Sequence, residues 1–174
     1  MNHGETLTRA TVWLAIAGYA VGSGLMLGLR GRDTWVFGAR WAWTLGCILF
    51  LGHVGYAFAY FHHWSHSAAY EETASQTHDL TGLRWGGGLY LNYVFAAAWA
   101  MDSLWWWLDP AGFARRSARV TAAWHFFFFF MVFNGTVIFG RGPVRWFGAL
   151  ICGSLAVLWL LRKKADVDRA EAAR

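Results

Sequence analysis

Charge is scarce in this chain. Of its 174 residues, 14% are Asp, Glu, Lys or Arg, against about 25% in a soluble domain. That deficit argues against an ordinary water-facing globule. Proline is nearly absent, with Pro110 and Pro143 the two examples. Taken with long apolar runs, this excludes a disordered or collagen-like chain. Cysteine is equally sparse. Cys47 and Cys152 both lie inside apolar runs, so there is neither a disulfide framework nor a metal-knuckle spacing. A phosphate loop is missing too: Gly86-Gly87-Gly88 allows close backbone approach but carries no nucleotide-binding pattern.

Apolar and aromatic residues fill the space left by charge. The chain is 57% hydrophobic and 19% aromatic, with 13 Trp and 14 Phe, and aromatics suit membrane interfaces. Its net charge of +5 does not indicate nucleic acid. The basic residues sit at the ends of apolar segments, where a membrane protein needs them.

A spanning helix needs about 20 mostly apolar residues. Five segments qualify: 11–29, 41–61, 87–108, 120–139 and 144–161. The runs are continuous rather than alternating, so the expected fold is an all-α bundle of five transmembrane helices in one domain, not a barrel. The first segment is too long and too poor in a cleavage motif for a signal peptide, and reads as a retained helix. Lysine and arginine bias sets the orientation. Eleven basic residues, among them Arg30, Arg32, Arg40, Arg115, Arg116, Arg119 and Arg162, fall on one side. At most four, Arg9, Arg84, Arg141 and Arg145, fall on the other. The first side is then cytoplasmic, the N-terminus is outside, and a bacterial-type inner membrane is the expected location. Gly18-x-x-x-Gly22 and Gly24-x-x-x-Gly28 allow close helix approach, within the bundle or in a dimer.

The unusual stretch is His62-His63-Trp64-Ser65-His66, followed by Tyr70, Glu71 and Glu72. No Gly or Pro interrupts it before Gly82, which predicts that the second helix continues out of the membrane to about residue 77. On such a helix His62 and His66 share a face, so both imidazoles can address one ion. Imidazole suits zinc, copper and iron. His62, His63 and His66 are therefore candidate metal ligands, with Glu72 and a folded-back His78 as further ones. Three readings compete for the cluster: metal or haem ligation, a structural or lipid-facing role, and proton handling.

Polar residues inside the spans are costly and face the protein interior. His125 and Asp102 lie about 7 and 9 Å from the cytoplasmic end, level with each other, which predicts a pair. His53 lies about 12 Å below the outer end, with Asn92 and Asn134 at about 8 Å. A b-type haem bridging His53 and His125 is disfavoured by an axial offset of about 11 Å, whereas a haem on His53 without His125 is compatible with these depths. The expected function is a small membrane redox or metal/haem-binding subunit with an outer histidine-rich site. It would sit in the lipid bilayer with other membrane subunits or as a homo-oligomer. A cofactor-free structural oligomer and a proton or small-solute pathway are the alternatives.

Overall fold

The computed structural model describes residues 3–28 and 33–172. Arg30, Arg32 and Arg174, used above for orientation, lie outside the described residues. Seven helices follow in order: α1 (His3–Gly28), α2 (Asp33–Tyr60), α3 (His66–Thr81), α4 (Gly88–Leu108), α5 (Pro110–Ala114), α6 (Ala118–Phe133) and α7 (Pro143–Ala172). A π-helical turn, Asn134–Ile138, continues α6. Among the described residues there are no strands.

Among the described residues, four stretches are long and apolar enough to cross a membrane: α1, Val36–Tyr60 of α2, Ala118–Ile138, and Pro143–Arg169 of α7. The expected span at 87–108 is a helix of 21 residues, about 31 Å at 1.5 Å per residue. It falls short of those four on hydropathy. Its indoles and phenols, with Asn92 and Asp102, dilute the aliphatic content.

The long helices form a closed ring. α1 packs between α2 and α7, α7 meets α6, α6 meets α4, and α4 returns to α2. An aromatic knot fills the middle. Trp43, Trp99 and Phe128 are almost fully buried; Phe128 sits 4.9 Å from both Trp43 and Phe95. The Trp99 indole N–H donates to the Trp43 carbonyl at 3.2 Å, which ties α4 to α2 and satisfies a polar atom that is expensive to bury alone.

Small residues set the α1–α2 contact. A Cβ on Gly18 would come within 2.7 Å of the Gly46 Cα, and one on Gly22 within 3.2 Å of the Trp43 backbone. Gly24 and Gly28 have open space beside them. The first glycine pair therefore serves packing inside the bundle.

The second helix does not extend to residue 77. It stops at Tyr60, and the chain reverses through two non-glycine residues in the left-handed region, His63 (φ 48°) and Trp64 (φ 59°). Backbone hydrogen bonds hold this break: the N–H groups of His62 and Trp64 donate to the carbonyls of Ala57 and Phe58 at 3.2 and 2.9 Å. Ser65 then caps a new helix, its hydroxyl accepting from the Ala68 N–H. A side-chain cap of this kind satisfies an orphan donor of the first turn. α3 ends on Gly82 at φ 77°. The following Gly86 lies against Tyr70, and a Cβ on Gly88 would meet the Thr73 methyl at 3.3 Å, so α3 is held down across that end of the ring.

Candidate functional site: a cavity beneath the third helix

At the end of the bundle that carries α3, the ring leaves a half-open cavity of about 370 Å³. The knot supplies its floor through Tyr19, Phe95 and Trp99; Phe50, Phe58 and Trp13 line its sides. Gly135 and Thr136 of the π-helical turn complete one wall. Such turns occur often at functional sites because they re-aim backbone and side chains. α3 contributes Glu72, Thr73 and Gln76 at the mouth, next to His62. Apolar aromatic walls, a few placed polar groups and a volume of several hundred Å³ are what small-molecule sites share.

His53 is the polar group deepest along α2. Its Nδ1 lies 2.9 Å from the Thr8 carbonyl of α1. A carbonyl can only accept, so Nδ1 carries the proton and donates. In the neutral ring Nε2 is then a bare lone pair. Among the described residues it has no hydrogen-bond partner, and the ring lines the cavity. A committed Nδ1 beside a free Nε2 is also how proteins orient a ligating imidazole.

The other candidates have separate fates. His62 and Glu72 line the same cavity as His53 and Asn92. His66 is spent elsewhere: its Nδ1 is 3.0 Å from the Tyr93 hydroxyl and its Nε2 3.5 Å from that of Tyr90. The break between α2 and α3 thus removes the shared helical face on which a joint His62/His66 site depended. His63 is exposed within the break, and His78 is exposed in the last turn of α3. Among the described residues, no three His, Cys, Asp or Glu side chains converge to hold a metal ion. Glu71 pairs with Arg84 at 2.7 Å on the surface; that hydrogen bond and the facing charge raise the Arg84 pKa. Asn134 is turned back on its own helix, donating to the Phe130 carbonyl at 2.8 Å.

The buried carboxylate has a different partner from the expected one. Asp102 accepts from Arg116 at 2.5 Å, with the two side chains 3% and 5% exposed. Arg116 follows the short helix α5, which Asp109 caps by accepting from the Gly112 N–H. Its guanidinium also lies 4.5 Å from the Phe113 ring centroid. His125 instead lies edge-on to Trp43, 6.2 Å between ring centroids. Trp43 and His53 are ten residues apart on α2, about 15 Å along the axis, so the two half-buried histidines occupy opposite halves of the bundle. By sequence Arg116 belongs with the basic residues of the cytoplasmic side; its spacing behind Asp109-Pro110, a capped turn, is the signal for a fold-back that brings it inward. A smaller cavity of about 220 Å³ adjoins the pair and is lined also by Trp124, whose indole N–H has no hydrogen-bond partner among the described residues.

Together these features define a class: a helical membrane protein with an aromatic-floored cavity at one end of its bundle. No protein-family model, curated protein or solved structure matches the chain.

Proposed function

We propose that the chain is an integral membrane subunit that holds a small molecule or redox cofactor in this cavity, on His53. The carrying observation is the imidazole itself, with Nδ1 committed to Thr8 and Nε2 free in a cavity of about 370 Å³. In this reading α4 is the fifth span, the α3 end faces outward, and the C-terminal end of α7 is cytoplasmic. Basic-residue bias supports that orientation, and bacterial-type inner membrane is the compartment it implies. A redox role would be exercised within a larger membrane assembly or homo-oligomer.

A second form of the same reading places a b-type haem on His53 as its one axial imidazole from this chain. The oriented ring favours it. A copper, iron or zinc site at His62, His63, His66, Glu72 and His78 would need ligands from another subunit, since these side chains do not converge.

The test is a visible absorption spectrum, elemental analysis and mass spectrometry of the purified protein. We expect a co-purifying chromophore or organic molecule that is lost in His53→Ala and kept in His62→Ala/His66→Ala. Retention in His53→Ala, with the fold intact, would overturn the assignment. So would a protein that purifies without any such group and binds none on addition.

A further inference from the structure

The wall around His53 has a donor–acceptor bias that narrows its occupant. The groups there can be read by what each still offers after its protein hydrogen bonds are made. His53 Nε2 offers a lone pair only. The Thr136 hydroxyl gives its proton to the Val132 carbonyl at 2.7 Å, and the Thr73 hydroxyl gives its own to the Ala69 carbonyl at 2.8 Å. Both oxygens are left as acceptors. Glu72, an acceptor when ionised, already takes one N–H from Gln76 at 2.9 Å. At His53, Thr136 and Thr73 the unspent capacity is to accept, while Asn92, Gln76 and His62 on the same lining keep N–H groups to donate, so an occupant that donates at His53 and carries an oxygen that accepts elsewhere fits both sets.

The shape gives the second constraint. The lining runs from Leu89 to Trp99 on α4, ten residues or about 15 Å of helix. It is walled by rings at the level of His53, with Phe50 and His53 6.1 Å apart between centroids. Flat rings pack there edge-to-face or offset against such walls. Glu72 is exposed at the mouth, whereas the deep acceptors are uncharged, so the deep position favours a neutral donor over an organic cation.

We propose that the cavity binds a neutral aromatic ring bearing a hydroxyl, of the phenol or quinol class, whose O–H donates to Nε2 of His53. This deepens the ligand-binding reading above and rests on it. A donor is selected because an acceptor at the same place would face a lone pair and leave His53 unpaired.

Matched probes test it with the full chain in detergent micelles: 1-naphthol, 1-methoxynaphthalene, which lacks the donor, and 1-naphthylmethylammonium, which carries a charge. Binding is measured by equilibrium dialysis against empty micelles of the same detergent, which removes simple partitioning. The expected result is a preference for naphthol over its methyl ether of about fivefold or more, the value of one net hydrogen bond. The preference should fall to about one in His53→Phe and persist in His53→Gln, whose amide can donate to Thr8 and still accept. If both neutral probes bind wild type equally, or the ammonium binds best, the hydroxyl assignment is overturned while the cavity stands. If none binds and no group co-purifies, the ligand-binding reading falls with it. Should His53→Phe fail to assemble, the wild-type ratio still decides.

Discussion

Removing one partner of the Asp102–Arg116 pair should destabilise the bundle more than removing both. At 2.5 Å and an effective dielectric of about 20, the Coulombic attraction is about 7 kcal/mol. Taking each ion out of water costs several kcal/mol, so the two terms nearly cancel and the intact pair is a small net contributor. Asp102→Leu strands a guanidinium that is 5% exposed, and Arg116→Met strands the carboxylate. Each single change should cost about 3–5 kcal/mol. Asp102→Asn, which keeps an acceptor for the guanidinium, should cost less. The double variant Asp102→Leu/Arg116→Met should return to within about 2 kcal/mol of the parent, as apolar replacement of buried ion pairs often does. The assay is unfolding of the purified protein by titrating a denaturing detergent into a mild one, followed by circular dichroism. A double variant as unstable as the sum of the singles would refute the reasoning, because additivity means the two residues do not interact.

Three further outcomes follow from the packing and the turns. Gly18→Leu should cost about 1–3 kcal/mol or prevent assembly by overpacking α1 against Gly46, whereas Gly24→Leu, with open space beside it, should unfold at the parental midpoint. His63→Gly should hold or raise stability, since a left-handed non-glycine residue costs about 1–2 kcal/mol and glycine's added freedom in the unfolded chain offsets about half of that. A lowered midpoint would mean that the ring, not the backbone, secures the break. Because Cys47 and Cys152 are buried, a single introduced cysteine reports topology cleanly. Leu83→Cys should react with an impermeant thiol reagent on intact cells and Asp168→Cys only after lysis, and the reverse pattern would invert the proposed orientation.

The long helices were legible because apolar composition speaks directly to burial. The runs at 87–108 and 120–139 correspond to Gly88–Leu108 and to Ala118–Ile138. Depth arithmetic expects His53, Asn92 and Asn134 in one layer: His53 and Asn92 line one cavity, Asn134 is turned back on its own helix, and His125 lies in the other half of the bundle. The break after Tyr60 was not legible by looking for Gly or Pro, since His63 and Trp64 take left-handed conformations that their chemistry does not advertise. Ser65 three residues before Ala68 was the signal of a new helix start. Asp102 found Arg116 rather than His125 because depth arithmetic ranks residues already inside the spans. It cannot see a cation brought inward by a folded-back turn.

The π-helical turn at Asn134–Ile138 has a consequence for rotational phase. An α-helix advances about 100° per residue, so a turn that holds an extra residue offsets everything beyond it by roughly that angle. Before the turn, Phe128 and Val132 face the aromatic knot. Met131 and Val132 also line the cavity, and within the turn Gly135 and Thr136 continue that wall, with Thr136 abutting Gly148 of α7, while Asn134 bonds back to its own helix. The approach of the chain to α7 is in this sense a product of chain counting. Deleting one residue between 134 and 138 would leave the composition almost untouched and the helix more regular, yet would rotate the positions beyond the deletion by about 100° around the axis and re-aim the link that leads into α7.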